Sequence, residues 1–378
     1  MSFSQSSALK CLSAVFAAVI LGCGPGDGVK EFSEGKEAYD LRDFKKAERL
    51  FTESLAAAPQ DVDRLLYLAR TELELGELDK AKELIGQAAG NSEGDVDVAL
   101  LESQIAWHTK DYKTAANGFA DIANDEKLDA VVRSQGWAGL GVVEMTCDNH
   151  HLARVAFLRA IRLDRKNAAA WYHLGLLYRD GFGYLEAALE QFEIFVRLEE
   201  QSSPRVQKVQ RTVIPALKES ISRAATERPG VAKRNSASCA ASISAAEAAV
   251  KKGNFKAARE AYQKALAADP LSYPAALGLA KAWEKTDATR DGQTKAFENY
   301  RTACALRPSA VTTFLAAGSL AAKLGLNLQT VEIYSRAVAA NPNSFDAIDG
   351  LIRALRKIGG KEKVAAAYQA YRLSLTRK

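Results

Sequence analysis

Covalent or acid–base chemistry needs nucleophiles, titratable pairs or metal ligands at workable spacing, and this sequence holds few of them. Its five cysteines, Cys11, Cys23, Cys147, Cys239 and Cys304, form no Cys-x-x-Cys pair, so neither a zinc site nor a dithiol redox centre is spelled out. His150, His151 and His173 fall in adjacent units and could meet, but His151 follows a turn and lacks a companion cysteine or carboxylate at ligand spacing, and no metal is expected. No glycine-rich phosphate loop follows a strand pattern, and no Ser/His/Asp set stands out. Glu31, Glu34 and Glu37, like Glu72 and Glu74, read as solvated helix faces rather than acid/base pairs. The expectation is a protein that is not an enzyme and holds no cofactor.

Cys23 is the exception, because of what precedes it. Lys10 supplies one positive charge, residues 11–21 form an apolar core, and Ile20-Leu21-Gly22-Cys23 follows. The core is about half of the ~20 apolar residues that a spanning helix requires, which is the length of a signal peptide. The quartet resembles the lipobox of bacterial lipoproteins, although Leu21 stands where smaller residues are commoner. The resemblance implies that residues 1–22 are a removed signal and that Cys23 carries the lipid, diacylglycerol and palmitate. Residues 23–28, with Gly24-Pro25-Gly26-Asp27-Gly28, then form a flexible tether. It also implies anchoring in the cell membrane or outer membrane, facing the periplasm, and the absence of Asp after Cys23 resembles lipoproteins sent to the outer membrane. An ordinary secretory signal, or an uncleaved apolar start on a cytosolic protein, is the alternative. With Cys11 removed and Cys23 lipidated, three cysteines are left; Cys304 is expected to be a buried thiol, and a Cys147–Cys239 bridge stays open.

The rest of the chain is periodic. Trp171, Leu174, Gly175 and Tyr178 spell W-x-x-L-G-x-x-Y, and Trp137, Leu140 and Gly141 repeat the first part 34 residues earlier. A small residue followed four positions later by a large one recurs as Ala47/Phe51, Ala81/Ile85, Ala115/Phe119, Ala153/Phe157, Ala188/Phe192, Ala258/Tyr262, Ala296/Tyr300, Thr330/Tyr334 and Val364/Tyr368. The steps between leading residues are 34, 34, 38, 35, 70, 38, 34 and 34. Pro59, Pro270, Pro308 and Pro342 are placed to close second helices, since proline cannot continue one. This pattern resembles the tetratricopeptide repeat (TPR), whose unit is a pair of antiparallel helices too small to bury its own apolar faces. The resemblance implies an all-α fold, an α-solenoid of helix hairpins wound into a right-handed superhelix. Five units are expected over residues 29–200 and four over residues 239–378. Residues 201–238 supply a connecting amphipathic helix and linker, with room for a degenerate unit. Ser203 and Pro204 open that helix, Val206, Val209, Val213, Leu217 and Ile221 stripe it, and Pro215 should kink it. Gly181-Phe182-Gly183 is expected to cap the fifth hairpin.

In such arrays the first helices line a concave surface that binds proteins. Carried over unit by unit, Phe32, Tyr39, Leu66, Leu73, Leu100, Trp107, Tyr172, Leu176 and Arg179 form an apolar, aromatic groove, with Lys36, Arg70 and Gln104 between them. The second array instead repeats Lys251, Lys285, Lys323 and Lys357 in register, a basic ladder able to clamp an acidic peptide; solvated helix ends are the plainer explanation. Charge divides the same way, with 22 Lys+Arg against 32 Asp+Glu up to Glu199 and 29 against 14 from Glu200. The basic half suits an anionic partner. Nucleic acid is not expected for an exported chain. The leading expectation is a lipid-anchored envelope scaffold that binds other proteins or peptides and assists assembly of an envelope complex. The alternatives are an adaptor recruiting an envelope enzyme, such as a peptidoglycan hydrolase or protease, and a cytosolic receptor for acidic peptide tails.

Overall fold

The computed structural model describes residues 27–227 and 234–376; the signal, Cys23 and the first residues of the tether lie outside them. Helix starts are set by short polar side chains. Asp43, Asp61, Asp95, Asp111, Asn167, Asn254, Ser272, Thr289 and Ser344 each accept a hydrogen bond from a backbone N–H two or three residues on, which satisfies a donor the first helical turn leaves free. The turn inside a hairpin needs one left-handed residue. Gly76 (φ 82°) and Gly325 (φ 76°) adopt it without strain, whereas Arg42, Lys110 and Asp148 are forced into it at φ 63°, 65° and 58°.

The helices that result are α1 (Val29–Asp40), α2 (Phe44–Ala57), α3 (Val62–Leu75), α4 (Leu78–Asn91), α5 (Val96–His108), α6 (Tyr112–Asn124), α7 (Ala130–Thr146) and α8 (His150–Leu163). They are followed by α9 (Ala168–Leu176), α10 (Leu185–Leu198), α11 (Pro204–Lys208), α12 (Ile214–Thr226), α13 (Ser236–Lys251) and α14 (Phe255–Ala268). The chain ends in α15 (Tyr273–Thr286), α16 (Arg290–Leu306), α17 (Val311–Lys323), α18 (Asn327–Ala340), α19 (Phe345–Arg356) and α20 (Glu362–Ser374). Most of them pair with the next helix in the chain as antiparallel hairpins, and the four prolines stand just past α2, α14, α16 and α18. Among the described residues no helix is long and apolar enough to cross a membrane.

The recurring small and large residues form the hairpin cores. Ala47, Ala81, Ala115, Ala153, Ala188, Ala258 and Ala296 are wholly buried, with Phe51, Phe157 and Phe192 beside them. Close approach requires glycine at particular places. A Cβ on Gly175 would meet the Phe192 ring at 3.0 Å, and the Tyr334 ring is held between Gly318 and Gly350, where a Cβ would come within 2.7 and 2.3 Å. The last unit departs from the pattern, for Val364 is half-buried and Ala365 takes the buried place next to it.

The described residues group into two compact units, one up to Val143 and the other from Glu144. The first holds three hairpins and most of α7. Its core begins with Ala38, Ala47, Leu50, Phe51 and Leu68 and continues through two further clusters to Val143. Residues 27 and 28, expected in the tether, are held by a buried side chain. Arg64 donates to the Asp27 carbonyl at 2.8 Å and to the Ser54 carbonyl at 2.6 Å, while the Ser54 hydroxyl donates to the Gly28 carbonyl at 2.7 Å.

In the second unit α9 runs on as a π-helical turn, Leu177–Gly181, before α10. The connecting segment packs on α10 through buried Val206, Val209 and Leu217. The kink expected at Pro215 is a second π-helical turn, Val209–Val213, set just before it. Proline lacks the N–H that would reach back four residues and its ring crowds that carbonyl, so the helix widens ahead of it. The helices α13 to α20 stack as four hairpins, and α20 lies against α8.

Gly350→Ala should lower the free energy of unfolding in urea by about 1–3 kcal/mol, because the Tyr334 ring has no room to retreat. Gly86→Ala, where a Cβ would meet nothing within 4 Å, should be neutral or raise it by about 0.5–1 kcal/mol.

Candidate binding surfaces

The first surface is on α1, α3 and α5. Phe32 and Tyr39 are half-buried around Tyr67; the Phe32 ring meets that of Tyr67 edge-on at 5.3 Å, and Tyr39 lies at 6.3 Å. Cations cover these rings, with the Lys36 ammonium 4.8 Å from the Phe32 centroid and the Arg70 guanidinium 5.7 Å from that of Tyr67. Arg70 also pairs with Asp97 of α5 at 3.6 Å. Leu73 and Trp107 are half-buried against the hairpin cores. Leu66 and Leu100, expected in the lining, are core residues at 4% and 7% exposure and offer nothing to a partner. On α3 the accessible face is Asp63, Tyr67, Arg70 and Glu74; the expected register was one residue out at Leu66, and so missed Tyr67. The aromatic residue three positions before Arg70 was the available signal.

The other expected lining residues lie in the second unit. Tyr172 packs 5.1 Å from Phe195 and is overlaid by the Arg205 guanidinium of α11 at 5.1 Å, so the connecting helix takes up one of its faces. Leu176 is half-buried, and Arg179 gives both arms of its fork to Asp180 at 2.6 and 2.7 Å. Lys251, Lys285, Lys323 and Lys357 are all exposed, each in the last turn or at the C-cap of its unit's first helix. A cation there complements the partial negative charge of the helix end, which accounts for the recurrence without a ligand.

The feature that sequence reasoning missed is where α8 meets α18 and α20. The Arg154 side chain of α8 is fully buried. It donates to the Tyr368 hydroxyl at 2.6 Å and the Ser335 carbonyl at 2.9 Å, and its guanidinium lies 4.7 Å from the Phe182 ring and 5.3 Å from that of Tyr368. Phe182, expected as a hairpin cap, thus covers a cation and stacks on Tyr184 at 5.2 Å. Tyr184 donates to the Ser335 hydroxyl at 3.1 Å. Clefts of about 330 Å³ and 490 Å³ flank the contact, both bordered by Glu190, Ala339 and Ala340. The signal was α8 itself: Ala153, Val155, Ala156, Phe157, Leu158, Ala160 and Ile161 are apolar on every side, as in a helix buried all round.

The histidines are packing residues. His151 sits 5.3 Å from the Phe182 ring with Nδ1 3.3 Å from the Tyr368 hydroxyl; burial, with Arg154 beside it, pulls its pKa down to about 3. His173 stacks on Phe157 at 5.9 Å, and burial with Arg205 takes it down to about 4. Cys304 is buried, which pushes its thiol up to about 12. Cys239 is buried and Cys147 exposed, and all three thiols are free.

Two tetratricopeptide repeat family models match the chain, one over residues 38–105 and the other over residues 243–290. The hairpins are tetratricopeptide repeats. In fold the chain is similar to MamA from Desulfovibrio magneticus RS-1, at 18% identity over 48% of this chain and all of that one, with a TM-score of 0.35. It is similar also to PilF of Pseudomonas aeruginosa, 14% identical over 66% of this chain and 94% of that one at a TM-score of 0.39. The Cut9–Hcn1 hetero-tetramer of the APC/C matches 91% of this chain and 78% of its own at 14% identity and a TM-score of 0.34. No curated protein matches.

Tetratricopeptide repeats bind other proteins or peptides, and the rings and cations of α1 and α3 are side chains that the repeat cores leave partly exposed. The repeats also carry two tests of their packing. Arg154→Ala should cost about 2–4 kcal/mol in urea unfolding, since it opens a cavity and removes the charged donors to Ser335 and Tyr368; Tyr368→Phe should cost about 1 kcal/mol. The unfolded chain protonates histidine near the ordinary 6.5, while the folded one keeps His151 and His173 neutral down to about 3 and 4. Stability should therefore fall as pH drops from 6.5 towards 4, by about 1.4 kcal/mol per pH unit for each ring. Urea titrations across that range should show a flatter dependence in His151→Asn and His173→Asn.

Proposed function

We propose that this chain is a lipid-anchored scaffold of a bacterial cell envelope, without catalytic activity, that gathers other proteins on its repeats and assists assembly of an envelope complex. The observation that carries the reading is the lining of α1 and α3, where Phe32, Tyr39 and Tyr67 keep part of their surface free under Lys36 and Arg70. Rigid aromatic side chains give large contact area at small entropic cost, and cations beside them add orientation. The anchor rests on Ile20-Leu21-Gly22-Cys23. Its setting agrees with a surface-bound role, for only residues 24–26 stand between Cys23 and the pinned carbonyl of Asp27. A lipid on Cys23 would hold the first repeat within about 14 Å of its attachment point. The lack of Asp after Cys23 favours the outer membrane and a periplasmic orientation.

Two measurements test this. Metabolic labelling with a palmitate analogue should mark the wild type and not Cys23→Ser, and an unlabelled, freely soluble wild type would overturn the anchor. Affinity capture from envelope extracts should lose partners with Tyr67→Ala and Trp107→Ala; a partner set unchanged by both would overturn the lining.

A further inference from the structure

The contact of α8 with α18 and α20 joins hairpins distant in the chain, and it is held differently from the hairpin cores. Those rest on buried alanines and rings, whereas this contact has a buried guanidinium within it and clefts of about 330 and 490 Å³ beside it. Where packing is incomplete, polar groups decide whether two surfaces stay together. Around Arg154 they form a directed chain. The Arg154 Nε–H donates to the Tyr368 hydroxyl at 2.6 Å, so that hydroxyl is free to donate its own proton to Nδ1 of His151, 3.3 Å away. The same nitrogen lies 3.4 Å from Nη2 of Arg154, which has only protons to offer. His151 therefore serves the contact as an acceptor, in its neutral form, and its ring is only half-buried. The charges that face it are cationic or already engaged. Arg154 and His150 stand on α8, and Lys361 precedes α20. Asp148, in the turn before α8, pairs with His150 at 3.7 Å, and Glu144, near the end of α7, pairs with Lys363 of α20 at 3.8 Å. Asp180 of the π-helical turn is held by Arg179. Phe182 and Tyr368 offer ring edges and one hydroxyl, and Tyr178 and Tyr184 stand near Arg154.

We propose that this contact is an acid-sensitive clasp, in which a proton on His151 parts α18 and α20 from α8 while each hairpin stays folded. With both ring nitrogens protonated, Nδ1 turns a proton towards Tyr368 and Arg154, and a second cation sits beside the buried one. The relay through the Tyr368 hydroxyl is broken at its receiving end. In the parted state the ring regains its ordinary affinity for a proton near pH 6.5, whereas in the closed state it stays neutral down to about 3. Proton uptake therefore favours opening as pH falls through that window. The clasp belongs to the second unit and does not depend on the lipid anchor.

Single-molecule energy transfer tests the clasp on the full chain carrying Cys11→Ser and Cys23→Ser. One dye goes on the exposed native Cys147, ahead of α8, and the other on Ala366→Cys, at an exposed position of α20. Between pH 7 and 5, above the ordinary carboxylate range, the ratio of low-transfer to high-transfer molecules should rise roughly twentyfold. Far-UV circular dichroism should not change over the same range. His151→Asn and His151→Gln should abolish the pH dependence, whether they hold the contact closed or open. His150→Asn and His173→Asn should keep it, since neither imidazole receives the Tyr368 proton. Three outcomes overturn the proposal: a ratio that stays level down to pH 5, a rise that survives in both His151 variants, or a loss of transfer only where helicity is lost with it.

Discussion

A guanidinium sealed from water with no carboxylate among the described residues to neutralise it is the constraint that shapes the second unit. Arginine cannot escape burial by losing its proton, and an ion left bare in such a place would cost several kcal/mol. The fold meets the demand with what is at hand: a hydroxyl from Tyr368, a carbonyl from Ser335, and the faces of Phe182 and Tyr368. Each comes from a different part of the chain. The loop that closes the fifth repeat and the helices α18 and α20 must therefore all be in place before Arg154 is satisfied. A contact between hairpins far apart in sequence is made specific in this way, where apolar packing alone would tolerate slippage. The clefts on either side agree with that account, because they mark where shape complementarity stops and the polar contacts carry the register.

The hairpins were legible in the sequence because their cause is local. A buried alanine and a ring one turn later, a proline after the second helix and an Asp or Asn before the next one are all set within a single repeat, and the structure uses each. The last unit blurs the pattern for a non-local reason: Tyr368 serves Arg154 of another repeat rather than only its own hairpin. The same holds for the meeting of α8 and α20. Nothing inside the fourth repeat says which helix will cover Leu158 and Ile161, although their apolar character says that something must. The accessible face of α1 and α3 was half legible. Phe32 and Tyr39 are where the period puts them, but a one-residue error of register on α3 exchanged Tyr67 for Leu66, and a helix turns by 100° at each residue.

The surfaces differ in kind. On α1 and α3 the cations lie over aromatic faces, so their charge is partly spent within the protein and the accessible patch is mixed. On the second repeats' ladder the lysines stand at helix ends, where the backbone dipole already favours them. Regular spacing of a charge along an array is thus a weak sign of a ligand, since the repeat geometry itself reproduces the same electrostatic niche in every unit.

Arg64 has a mechanical consequence. It ties the backbone at Asp27 to Ser54, near the end of α2, and its own backbone belongs to α3. Tension applied to the chain ahead of Asp27 is then shared with the second repeat before α1 feels it. The first described helix is thereby spared from being peeled away by a pull at its own start.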